Sequence, residues 1–169
     1  MDYTVRVLTV EDEPIVWQFL QYAAHESSVE SVLNNPALTI YAKNWGRQVG
    51  DHGCIAQQDD LAIGMAWVRL WSGEERGYGY INQRIPELAI AVLPDYQEQG
   101  IGTHLLKNVL AMARDPKAKG NRFEAVSLSV RGDNTAVRLY ERVGFIKIPG
   151  SEILNRTGEI SFNMIYKFE

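Results

Sequence analysis

The chain has 169 residues, 46% hydrophobic and 22% charged, a balance that suits one globular domain spanning residues 1–169 around a single core. A formal net charge of -4 and a sequence pI near 5.4 provide no broad basic surface for a nucleic acid. The opening Met1-Asp2-Tyr3-Thr4-Val5 lacks the charged and apolar regions of a signal peptide, and no apolar run reaches the length of a membrane span. No membrane partner is therefore expected, and the expected location is cytoplasmic.

In chain order, Tyr3 to Thr9 alternates as a strand, and Glu11 to Ala24 carries Ile15, Val16, Phe19, Leu20 and Ala23 at helical spacing. Residues 27–50 show a weaker pattern with a break at Asn34-Asn35-Pro36. A second helical piece is expected there through Leu38, Tyr41, Ala42 and Trp45. Residues 54–57 and 61–70 form a predicted hairpin about the polar turn 58–60. A glycine-rich, aromatic loop runs from Ser72 to Ile85. Then Glu87-Leu88-Ala89-Ile90-Ala91-Val92-Leu93 is nearly continuously apolar, as in a strand covered on both faces.

After Pro94 a helix presents Ile101, Leu105, Leu106, Val109, Leu110 and Ala113 as one stripe and stops near Arg114-Asp115-Pro116. A strand over 123–130 is followed by a short helix that begins at Asp133-Asn134 and ends at Gly144. Residues 145–148 and 159–168 complete the strands, the last placing Ile160, Phe162, Met164, Tyr166 and Phe168 on one face.

The segment Gln97-Glu98-Gln99-Gly100-Ile101-Gly102 lies between the apolar strand and the striped helix. Glycines there let a backbone approach a ligand closely, and the helix end supplies unpaired N–H groups suited to a pyrophosphate. The same glycines could serve a tight connection alone. A nucleotide-triphosphate loop would need Gly-Lys-Ser/Thr, but Thr103 and His104 follow Gly102; a dinucleotide fingerprint would need a third glycine where Leu105 stands. Lone Cys54 can neither form an internal disulfide nor hold a metal by itself, and His25, His52 and His104 show no ligand spacing around it, so no metal is expected.

The stretch from Glu87 to Leu106 resembles the acyl-CoA motif of the GNAT superfamily of N-acetyltransferases, Q/R-x-x-G-x-G/A, with Gln97, Gly100 and Gly102 at its defining positions. The stretch from Asp133 to Phe145 resembles the family's second signature, N-x-x-A-x-x-L-Y-x-x-x-G-F. This resemblance implies an α/β (α+β) fold: a mixed, mostly antiparallel twisted sheet of about seven strands flanked by about four helices. It also implies acetyl-CoA as cosubstrate. Backbone N–H groups across Glu98, Gln99, Gly100, Ile101, Gly102 and Thr103, with Gln97, would hold the pyrophosphate, and those around Ala91, Val92 and Leu93 the thioester. The pantetheine contact falls to Asn134, with Asp133 the alternative by motif count. Tyr140 would be the acid that protonates the departing sulfur, and Glu87 the base that deprotonates the amine, with a water chain as the alternative. Glu98 and Gln99 depart from the Arg and Gly often found in that loop.

Trp71, Tyr78 and Tyr80 are candidate acceptor contacts, because loops on a rigid scaffold shape pockets. The implied reaction is acetyl transfer to a primary amine of a small molecule or peptide. The alternatives are a longer acyl-CoA, an alcohol acceptor, or a CoA-binding sensor without turnover. The acidic balance mildly suits a cationic amine. A homodimer through the C-terminal strand is a further possibility.

Overall fold

The computed structural model describes residues 2–115, 123–154 and 158–168. Its strands are β1 (Thr4–Val7), β2 (His52–Gln58), β3 (Leu61–Arg69), β4 (Glu87–Val92), β5 (Ala125–Arg131), β6 (Ile146–Lys147), β7 (Ile153–Leu154) and β8 (Ile160–Lys167). Helices are α1 (Glu13–Ala23), α2 (Val29–Leu33), α3 (Pro36–Thr39), α4 (Ile101–Arg114) and α5 (Ala136–Val143). All eight strands form one sheet in the order β1-β2-β3-β4-β5-β8-β6, with β7 also on β8, and only the β4/β5 junction is parallel. The expected mixed, mostly antiparallel sheet is present, with one more short strand at residues 153–154.

Alternation along the central strands divides the core into two layers. One face sends Cys54, Ala56, Ile63, Val68 and Leu88 against α4 and α5, where the helical stripe of Leu105, Leu106 and Val109 meets Tyr140 and Phe145. The other sends Ile55, Met65 and Trp67 against Val16, Phe19 and Leu20 of α1 and against Val32, Leu38, Tyr41 and Trp45. Between the layers, at the β4/β5 junction, Glu87 and Ser127 form the only paired register position of the two strands. Beyond that point the two strands part.

The second helical piece is shorter than the periodicity predicts. Only Pro36–Thr39 is α-helical, and through Trp45 the chain continues in turns such as Tyr41 N–H to Leu38 O (3.0 Å) and Trp45 N–H to Ala42 O (3.0 Å). Tertiary bonds dictate this path. Buried Arg69 donates to Ile40 O (2.9 Å) and Lys43 O (2.6 Å), and Trp67 Nε1–H donates to Tyr41 O (3.0 Å), drawing those carbonyls toward β3 and out of a helical ladder. The first helix loses its opening to a 3-10 turn at Val10–Asp12, and the first and last strands are trimmed to residues 4–7 and 160–167. The predicted stop of the long helix holds at Arg114, while Pro116 lies outside the described residues. β8 lies between β5 and the short β6 and β7, which pair with it at residues 164–165 and 160–161.

Candidate active site

The parting of β4 and β5 opens a cleft of about 940 Å³ that reaches from the start of α4 to Glu87. Tyr140 belongs to one core layer and Tyr41 to the other, yet both line this cleft. Two reactants could therefore approach from opposite faces of the sheet and meet between the strands.

At the α4 end, Gln97 is extended, Glu98 takes φ 61°, and Gly100 takes φ 85° as the N-cap of the helix. This winding turns the chain abruptly from the strand into the helix. His104 N–H is already bonded to Gly100 O (3.1 Å), and the N–H groups of the preceding first turn are the donors a helix leaves open. A Cβ on Gly102 would stand 3.1 Å from Leu139 Cδ2, so the glycine lets α4 and α5 close together. Gln97 is spent on the turn itself, its Nε2–H donating to Val92 O (3.0 Å). Glu98 is exposed, where solvent screens its charge. These open donors, free of any covering side chain, fit a pyrophosphate.

The expected donors of β4 are corrected by register. Leu93 N–H is bonded to Ile63 O (2.9 Å), and alternation turns Ala91 N–H to the same β3 side. Val92 N–H faces the gap instead, so of the three residues it alone keeps a backbone donor for the cleft.

On the second signature helix, Asn134 lines the cleft and its Oδ1 accepts Ala136 N–H (2.8 Å), while its Nδ2 lies 3.4 Å from His25 Nε2. Asp133 is held away by Arg131 in a two-bond ion pair of 3.1 and 2.8 Å. Asn134 rather than Asp133 is thus placed for a cleft ligand. Tyr140 is 7% exposed and packs edge-on against Phe145 at 5.9 Å. Burial pushes its phenol well above the ordinary tyrosine range, so it retains its proton and remains a donor. It is both a core aromatic and a cleft-lining group.

Glu87 is not the solvent-facing strand end that its position in the sequence allows: it is 3% exposed. Tyr41 O–H donates to its Oε2 (2.6 Å) and Trp71 Nε1–H to its Oε1 (2.9 Å). Burial raises its carboxyl to about 7 against these bonds, which pull the other way, and a backbone bond from Gly79 acts with them. A Cβ on Gly79 would lie 2.8 Å from the Glu87 carboxyl carbon, so the Gly77-Tyr78-Gly79 backbone fits against the carboxylate only without side chains on its glycines. Ser127 Oγ–H fastens this loop from β5, donating to Gly79 O (2.7 Å).

The three aromatic candidates separate. Tyr78 lines the cleft, and its N–H donates to Tyr41 Oη (2.8 Å). Trp71 is buried behind Glu87, edge-on to Tyr41 at 5.1 Å. Tyr80 lies beneath Arg76, 4.5 Å from guanidinium to ring centre. Tyr41, read from the sequence only as an apolar helix position, is the site residue the sequence did not single out. Cys54 is buried, with its thiol pushed up to about 12 by burial, and has no nucleophilic character. No group of three or more metal-ligating side chains occurs among the described residues.

The profile of the acetyltransferase (GNAT) domain matches residues 50–147, more than half of the chain, and the protein belongs to the GNAT acetyltransferase family. Its fold is similar to that of a GNAT acetyltransferase from Streptococcus pneumoniae, at TM-score 0.70 and 15% identity over 99% of this chain and 100% of that one. It is also similar to yncA from Salmonella typhimurium, solved with its cofactor acetyl-CoA, at TM-score 0.69 and 15% identity over 100% of this chain and 95% of that one. Ribosomal-protein-alanine N-acetyltransferase from Brucella melitensis gives TM-score 0.70 and 16% identity over 98% of this chain and 99% of that one. At these identities the likeness is one of fold. No curated protein matches the chain by sequence.

Proposed function

We propose that this protein is an acetyl-CoA-dependent N-acetyltransferase that transfers acetyl to a primary amine of a small molecule or peptide by direct attack on the thioester. The observation that carries this reading is the single-position pairing of β4 with β5, which opens a passage joining the bare α4 N-terminus to Tyr140 on one face and Glu87 on the other. When bound, acetyl-CoA supplies an activated acetyl group. The first-turn N–H groups from Gly100 to Thr103 would hold phosphate oxygens, and Asn134 Nδ2, which has one N–H toward His25 Nε2 (3.4 Å), would offer its other N–H to the pantetheine arm. Val92 N–H steadies the thioester oxygen. Tyr140 gives its proton to the sulfur as it leaves. Glu87, with a carboxyl near 7, takes the proton from the attacking amine near neutral pH. Tyr78 on the cleft wall is the acceptor contact in this reading, within a cytoplasmic enzyme.

The test mixes protein and acetyl-CoA with amino acids, polyamines, aminoglycosides and peptides while following thiol release. With an acceptor in hand, Tyr140→Phe is expected to keep acetyl-CoA affinity and lose roughly ten- to ten-thousand-fold in kcat. Unchanged turnover would remove Tyr140 from the mechanism. Binding of acetyl-CoA without release to any acceptor would mark the protein as an acyl-CoA sensor.

A further inference from the structure

Glu87 does not meet the cleft freely. Trp71 covers one oxygen, Tyr41 covers the other, and the backbone around Gly79 lies against its carboxyl carbon. Tyr41 stands between this carboxylate and the acceptor wall formed with Tyr78 and Leu38, and is itself only 8% exposed. Its oxygen donates one bond, to Glu87, and accepts one, from Tyr78 N–H. A phenol oxygen has two lone pairs, so one remains for a donor arriving from the cleft.

The phenol is held with unusual completeness. Trp67 Nε1–H fixes Tyr41 O, and Arg69 fixes the carbonyls of Ile40 and Lys43 on either side. Arg69 is the cross-strand partner of Glu87, but its other nitrogens turn to buried Asp51, at 3.1 and 2.9 Å. The buried cation is thus spent on positioning the Tyr41 turn. His25, beside Asn134 at 3.4 Å, and Glu26, Glu98, Arg131, Arg138 and Arg142 also line the cleft, as do the phenols of Tyr22, Tyr78, Tyr96 and Tyr140, while β5 contributes the neutral Ser127 as the register partner of Glu87.

We propose that Tyr41 carries the acceptor's proton to Glu87. The acceptor ammonium passes an N–H proton to the Tyr41 oxygen as the phenol's own proton moves to Glu87 Oε2. An N–H bond and the original phenol O–H bond break, and new O–H bonds form on Tyr41 and Glu87. The amine is left neutral with its lone pair, the phenol is regenerated, and Glu87 becomes a neutral carboxylic acid; no electrons are transferred between groups. The product state suits the site, since burial already favours the neutral carboxyl. The phenol is raised well above its ordinary range by burial and by Glu87, which disfavours a free phenolate and makes the two proton movements concerted.

This inference rests on the transferase reading, and its test separates the two. The carboxyl stretch of Glu87 is followed by infrared difference spectroscopy from pH 5 to 9, and is identified by its loss in Glu87→Gln. Tyr41→Phe removes a donor to the ionised form and should raise the midpoint by about one pH unit. An unmoved midpoint would overturn the proposal without any need for turnover.

The second arm measures kcat/KM in wild type, Tyr41→Phe, Glu87→Gln and the double variant, with acetyl-CoA affinity checked in each. A relay predicts losses of roughly a hundredfold or more in both single variants, and a double variant no worse than the poorer single. Additive losses, or a Tyr41→Phe rate within about threefold of wild type, would overturn the relay. Trp71→Phe removes the other donor but leaves the relay in place. It should raise the midpoint while keeping kcat/KM within about tenfold; a loss as deep as that of Tyr41→Phe would also overturn the assignment. If wild type binds acetyl-CoA but acetylates no amine, the transferase reading fails, and the infrared midpoint alone decides whether Tyr41 controls Glu87.

Discussion

The two walls of the cleft are built on different principles. The wall from β4 through α5 is local and largely backbone: a splayed strand, a turn with two left-handed residues, a bare helix end and one asparagine bonded to Ala136 N–H. The opposite wall rests mainly on side chains, with the backbone of Gly77-Tyr78-Gly79 laid against them, and is assembled from distant segments. Tyr41, Arg69, Trp71, Tyr78 and Glu87 meet there through bonds that span up to 46 residues. A backbone wall can recognise a constant ligand such as a phosphate with few side-chain requirements. A side-chain wall can tune the charge of one carboxylate, but it depends on buried polar groups that are costly to disturb.

The largest expected effect tests that dependence. Arg69→Leu leaves Asp51 buried without its cation and frees the carbonyls of Ile40 and Lys43, so a destabilisation of about 3–5 kcal/mol is expected in urea unfolding. A loss below about 1 kcal/mol would mean the turn is held by packing alone.

Next comes the pH dependence set by Glu87. Its carboxyl rises from 4.5 to about 7 on folding, so its contribution is fully present below the unfolded value and is lost as pH rises through the folded one. Comparing pH 5 with pH 8, wild type should lose about 2–3 kcal/mol more stability than Glu87→Gln. Parallel stability curves for the two proteins would show that the carboxyl does not titrate as its burial demands.

The backbone wall should respond more mildly to substitution. Gly100→Ala forces a Cβ onto φ 85°, at a cost of about 1–2 kcal/mol, with a matching drop in acetyl-CoA affinity if the turn relaxes to relieve it. Calorimetry with the cofactor measures both. The smallest effect distinguishes neighbours: Asn134→Ala should weaken acetyl-CoA binding about three- to tenfold through the lost amide and its bond to Ala136 N–H, while Asp133→Ala, at a side chain ion-paired with Arg131, should leave affinity unchanged. Equal effects at the two positions would contradict the geometry.

The same division explains what was legible in advance. Gln97, Gly100, Gly102 and Tyr140 lie at the fixed spacings of two signatures, and it was the resemblance of both to one family, not local pattern, that assigned them to one site in advance. Asn134 over Asp133 needed the structure, because motif counting favours the aspartate, whereas the Arg131 ion pair removes it. The donors of β4 needed it too, since strand register rather than residue type decides which N–H faces a gap. Residues 40–45 read as helix because Leu38, Tyr41, Ala42 and Trp45 recur at helical spacing. Periodicity records burial, and here burial is reached by turns that β3 pulls out of the helical path.

While the division of the expected single core into two layers came from the structure, the sequence by itself determined the order of elements, a central strand covered on both faces, the glycine turn at the head of α4 and the family to which these signatures belong. Each of these depends on interactions between near neighbours, or on which face of an element is apolar. Only the tertiary structure decided the environment of Glu87. A glutamate before an apolar strand is equally compatible with solvent or with burial. It was Tyr41, Trp71 and the Gly77-Tyr78-Gly79 backbone, from three separate parts of the chain, that enclosed it, and the burial raised its carboxyl toward neutrality against the pull of the hydrogen bonds they donate.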